Sequence, residues 1–113
     1  YYQDTDRTLF SENFEVWKYG PVIRSIYDEF KDYKGNAIKT YCEEADGSIL
    51  IVNEKTSSSF KKALDTIWEK YKSYDGIPLS AMTHREGSAW YKAAKRNDVY
   101  LSDADIKAEE AFV

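Results

Sequence analysis

The sequence predicts a mainly α-helical, α+β domain, a compact bundle of short helices with one small β-hairpin. Three observations predict it. Apolar residues recur at helical spacing in two separate stretches, and the period drops to two in one place between them. The 113 residues support a single core, since a folded chain of this size buries about two thirds of its unfolded surface. No repeat and no low-complexity stretch divides the chain, so residues 1–113 read as one domain.

The first punctuation is Gly20-Pro21. Proline suits the first turn of a helix, and Val22, Ile23, Ile26, Tyr27, Phe30 and Tyr33 then follow at helical spacing, with Arg24 and Asp28 as an i,i+4 pair. Gly35-Asn36 supplies residues tolerant of a left-handed backbone and ends this helix. Ile38, Thr40 and Cys42 then alternate with Lys39 and Tyr41, and Asp46-Gly47 marks a turn before the β-branched run ending at Val52. Residues 37–52 therefore read as the hairpin, with an acidic loop.

Thr56 to Ser59 offers N-caps for a helix carrying Phe60, Ala63, Leu64, Ile67, Trp68, Tyr71 and Tyr74 on one face. Asp75-Gly76 stops it. Pro78 starts a short helix with Leu79, Met82 and Thr83, and Gly87 separates that from a segment around Trp90. Ser102 with Asp105 resembles a capping box for a short last helix beginning near Ile106. The chain opens at Tyr1-Tyr2 without a methionine, and its first residues look like the exit from an element whose body is absent.

Composition narrows the function classes. Sixteen basic and twenty acidic residues leave a net charge of −4, which does not favour a phosphate backbone. The longest aliphatic run, Ile49 to Val52, is far too short to cross a bilayer, and no signal-peptide pattern is present. One cysteine, Cys42, and one histidine, His84, build neither a disulfide nor a Cys/His zinc site and suit a reducing cytoplasm. Aromatic residues make up 16% of the chain, and Tyr and Trp serve well at wet interfaces.

Few residues carry chemistry. His84 is the one side chain that ordinarily titrates near neutrality; a histidine bonded to backbone or carboxylate outweighs a general base, because no orienting partner or substrate pocket is evident. Ser58 with Lys61 and Ser59 with Lys62 match S-x-x-K, yet serines before a helix are ordinary caps and the companion motifs are missing. The G-x-x-x-x-G-K-[ST], G-x-S-x-G and G-x-G-x-x-G patterns are absent. Glu43, Glu44 and Asp46 lack the ligand alternation of an EF-hand, and Cys42 reads as a packed hydrophobe. No catalytic residue, cofactor or metal is expected. Lys92, Lys95 and Arg96 form a basic cluster, either a solvated helix face or a docking patch for an acidic protein surface.

The run from Phe14 through Trp17, Tyr19, Gly20, Pro21 and Val22, followed by Tyr27 and Phe30, and later by Leu79, Thr83-His84 and Trp90, resembles the signature of the Panacea domain family. That family includes SocA-like antitoxins and phage-associated GepA-type proteins. The resemblance implies a single Panacea-like domain lacking its upstream helix. It also implies an antitoxin-like or adaptor-like module of a phage or mobile element, which neutralises a partner toxin by binding it, with or without a protease system. A DNA-binding regulator of its own operon is the second reading and a small hydrolase using His84 the third. Independently of the family, a Trp three residues before Gly-Pro can pack under the turn, Gly20 permits close backbone approach, and His84 with Trp90 can pin the short helices.

Overall fold

A computed structural model of the chain describes residues 1–40, 46–49 and 57–110. In chain order these hold α1 (Tyr2–Thr5), β1 (Glu15–Trp17), β2 (Gly20–Val22), α2 (Arg24–Phe30) with a 3₁₀ turn at Lys31–Tyr33, α3 (Ser58–Tyr71), α4 (Gly76–Thr83), α5 (Ala89–Lys95) and α6 (Asp103–Ala108). Among the described residues the fold is mainly α with one small antiparallel hairpin, the fold class that the sequence predicts.

The described hairpin is one that the periodicity did not anticipate. It is β1–β2, joined by the two-residue turn Lys18-Tyr19, with Glu15 opposite Val22, Val16 opposite Pro21 and Trp17 opposite Gly20. Pro21 is therefore a strand residue, not the first turn of a helix, and α2 starts only at Arg24 after the extended Ile23. The ladder tolerates it because Val16, its partner, directs its own N–H to the Val99 carbonyl at 2.8 Å. Leu101 N–H donates to the Phe14 carbonyl at 2.9 Å and Tyr100 bridges Glu15, so residues 99–101 run along the second edge of β1. Residues 41–45 and 50–52 of the hairpin expected over 37–52 lie outside the described residues, and residues 37–40 are not in a strand.

Other boundaries shift by short distances. Arg24 bonds to Glu15 across the corner rather than to Asp28 along its helix, and Asp28 faces Lys31 at 3.7 Å instead. Lys34, at φ +53°, takes the positive-φ position one residue before Gly35. Asp75 is the N-cap of α4 and Gly76 its first residue, so this pair starts a helix; Pro78 sits two residues inside. The serine caps expected at Ser57 and Ser102 form, and Ser88 caps α5 in the same way without having been anticipated. Ser57 Oγ accepts from Phe60 N–H at 3.3 Å, Ser88 Oγ from Tyr91 N–H at 3.0 Å and Ser102 Oγ from Asp105 N–H at 3.1 Å.

The core is built from small side chains rather than from the abundant aromatics. Among the described residues Ile23, Ala89, Ala93 and Leu101 are the buried hydrophobics. Phe14, Val16, Trp90 and Ile106 close around Ala89, Ala93 and Leu101, so the hairpin, α5, α6 and residues 99–101 share this core. α6 is tied to α1, with Gln3 Nε2 donating to the Ile106 and Glu109 carbonyls and Lys107 reaching Asp6 at 2.8 Å.

Candidate functional site

The Lys18-Tyr19 turn is the point on which the structure converges. Its turn residues and Trp17 present three consecutive carbonyl oxygens, and each accepts a hydrogen bond from a different side chain of α4, its C-cap or α5. Trp90 Nε1 donates to the Trp17 carbonyl at 2.8 Å, His84 Nε2 lies 2.8 Å from the Lys18 carbonyl, and Ser80 Oγ donates to the Tyr19 carbonyl. Helical spacing explains the set: Ser80 and His84 are four residues apart and share one face of α4 and its C-cap.

Further bonds tie the residues of this clamp to one another. His84 Nδ1 lies 2.6 Å from the Ser80 carbonyl, which also accepts from Thr83 Oγ1 at 2.6 Å. Thr83 in turn offers its carbonyl to Ser88 Oγ at 2.7 Å. The His84 and Trp90 rings are 4.0 Å apart. Both imidazole nitrogens thus face main-chain oxygens; a neutral ring has one N–H and can serve one of them, whereas the imidazolium serves both.

Gly20 is required by the same packing. Its φ is +133°, and a Cβ built there would meet Thr83 Oγ1 at 2.8 Å. On the outer side of the corner Trp17 packs edge-on against Tyr27 at 4.6 Å between ring centres, with the Arg24 guanidinium 4.8 Å over its ring. Arg24 grips Glu15 through two bonds of 3.0 and 2.9 Å, and this holds the Glu15 carboxyl below the usual carboxylate range and raises the Arg24 guanidinium.

The structure gathers most of the sequence-predicted residues here and disperses the rest. Trp17, Tyr19, Gly20, Thr83, His84 and Trp90 form the clamp, with Tyr27 behind it. Phe14, Pro21, Thr83 and Trp90 line a cavity of about 170 Å³ together with Ser88, Leu101, Ile106 and Glu109. Val22 pairs with Glu15, Phe30 lies beside Tyr33, and Leu79 faces away toward α3. Lys92, Lys95 and Arg96 occupy the far end of α5. Lys95 sits over the Tyr91 ring at 5.4 Å, and Arg96 is engaged by Asp98 and Asp105. Sequence reasoning missed Ser80, Glu15 and Glu109, whose carboxylate accepts from Ala89 N–H at 3.1 Å. The four-residue step back from His84 is the signal that points to Ser80.

Among the described residues no group of His, Cys, Asp and Glu could hold a metal ion, and no helix is long and apolar enough to cross a membrane. The arrangement defines a class, a small mainly helical domain organised around a hairpin turn held by its own helices. The chain belongs to the antitoxin SocA-like, Panacea domain family, whose model matches residues 1–91 and so spans every residue from Phe14 to Trp90. This family is one of antitoxins, so the role is antitoxin-like and implies a protein partner. Comparison with curated proteins and with solved structures gave no match.

Proposed function

We propose that the chain neutralises a cognate toxin, encoded beside it on a phage or mobile element, by binding it directly in the cytoplasm without catalysis. The observation that carries this reading is where the family signature ends: Trp90 and His84, with Ser80 and Thr83 beside them, terminate on the protein's own main chain. A general base needs a nitrogen directed at a substrate, and both His84 nitrogens are directed at carbonyls. These four side chains then serve as scaffold, and large side chains elsewhere are left for contact: the ring of Tyr19, itself a signature residue, is 75% exposed, and Ile77 is 86% exposed. Lys92 and Lys95 add an electropositive rim on α5, while Arg96 is held by its two aspartates.

The test is co-expression with the product of the adjacent open reading frame. Restored growth of toxin-expressing cells, with co-purification of the two chains in a fixed ratio, is the expected result. Growth arrest that persists beside a folded, abundant chain that captures no toxin overturns the reading.

A further inference from the structure

We infer that His84 is held as an imidazolium in the folded chain and makes the clamp a proton-sensitive latch on the Lys18-Tyr19 turn. This device belongs to the chain alone and does not rest on the partner proposed above. His84 is the one histidine of the sequence. Its ring stands between two main-chain carbonyls, with Nδ1 2.6 Å from the Ser80 oxygen and Nε2 2.8 Å from the Lys18 oxygen. A carbonyl oxygen only accepts, so each contact needs an N–H from the ring, and only the doubly protonated ring has two. In the neutral ring one nitrogen turns a lone pair toward a carbonyl oxygen at that distance, and one bond of the clamp is lost.

No neighbouring side chain restores it. The Thr83 hydroxyl lies 3.4 Å from Nδ1, but its proton is already given to the same Ser80 carbonyl at 2.6 Å, so turning it to a bare Nδ1 strips that oxygen of its second donor. The Trp90 ring, 4.0 Å from the imidazole between centres, presents an aromatic system that attracts a cation. The charged side chains of the elements packed around the ring are directed elsewhere. On the hairpin, the Lys18 ammonium stands 5.4 Å over the Tyr19 ring and Glu15 is paired with Arg24. Beyond His84, Arg85 donates to the Glu110 carbonyl at 2.8 Å, Glu86 is exposed, and Lys92 lies two residues past Trp90 on α5. Among the described residues none of these side chains bonds the imidazole. Lys18 carries like charge, yet it is exposed and water screens it.

The folded chain therefore keeps up to one proton more than the unfolded chain above about pH 6.5, where an ordinary imidazole gives it up. The contribution of this bond is complete below that value and is lost as pH rises. Acid tightens the latch, and alkali loosens the turn from which Tyr19 projects.

Long-range proton–nitrogen NMR of the single imidazole in the full chain reads its state directly. At about pH 7.5, where a free imidazole is mostly neutral, both ring nitrogens are expected to carry protons. In chain labelled with 5-fluorotryptophan, the Trp90 resonance should follow the titration of the ring while that of Trp68 stays in place. Urea unfolding across about pH 6 to 8 gives the second readout: the unfolding constant should rise by up to about tenfold per pH unit, the limit for one proton. His84→Gln has no proton to lose and should abolish that slope, while unfolding more easily than wild type at the acid end. A ring with a single N–H at about pH 7.5 overturns the inference whether or not His84→Gln folds, and so does a His84→Gln chain that keeps the wild-type slope.

Discussion

Replacing Gly20 by alanine tests the clamp most directly. The backbone there has φ +133°, where a Cβ costs about 1–3 kcal/mol. The new methyl also meets Thr83 Oγ1 at 2.8 Å, and that hydroxyl is held by its bond to the Ser80 carbonyl at 2.6 Å. Moving it aside gives up roughly 1 kcal/mol of hydrogen bonding. Together Gly20→Ala should destabilise by about 2–4 kcal/mol, a large share of the ~5–15 kcal/mol available to a domain, and lower the thermal midpoint by roughly 8–20 °C. Urea and thermal unfolding followed by far-UV circular dichroism measure it. Thr83→Ala alone should cost about 1 kcal/mol, and the double variant should fall short of the sum by about 1 kcal/mol because the steric part vanishes. A Gly20→Ala chain within ~0.5 kcal/mol of wild type, or strict additivity with Thr83→Ala, refutes the close approach as the reason for the glycine.

Trp90→Phe keeps the ring but removes the donor to the Trp17 carbonyl, and should lower unfolding free energy by about 1–3 kcal/mol in urea melts; no change would mean that water replaces the bond. Ser57→Ala should cost about 1 kcal/mol and fray the start of α3, read as exchange of the Phe60 amide. The hydrogen bond from Arg96 holds the Asp105 carboxyl below its ordinary range. Its folded form thus titrates lower than its unfolded form, so the stabilisation is complete above the unfolded value of about 3.9 and is lost as pH falls through the folded one. Asp105→Asn should flatten that acid limb in urea midpoints taken across it, and an unchanged limb would remove the Arg96 pair as its cause. Lys92→Glu with Lys95→Glu should weaken toxin capture without moving the thermal midpoint, and undiminished capture would exclude that rim from the interface.

The helices were legible where periodicity and capping agree. α3 shows six apolar positions on one face behind a serine cap, ending at Tyr71 before the expected Tyr74, and Ser102 marks α6 in the same local way. The β1–β2 hairpin was not, since each local rule points away from it. Lys18-Tyr19 is no Asn-Gly turn, and Pro21 argues for a helix start or against a strand. Three donors from residues more than sixty positions away hold this turn, and residue spacing within the segment cannot register them. The candidate site divides the same way. Thr83, His84 and Trp90 were found as a signature, whereas their targets are backbone oxygens, which carry no residue-specific mark. The aromatics were read as core or contact area, but packing assigned the core to Ala89, Ala93 and Leu101 and left Trp68 and Tyr19 outside.

The ribbon at residues 99–101 lies past the end of the family match, yet it guards the free side of β1. A recombinant fragment trimmed at residue 91 would lose Ala93 and Leu101 from the interior and unmask the Phe14 carbonyl and the Val16 amide. Such a bared margin is a template for pairing with neighbouring molecules, so a shortened product should clump in storage even if its helices form. Expression boundaries are better drawn beyond Glu109, whose carboxylate also closes the amino end of α5.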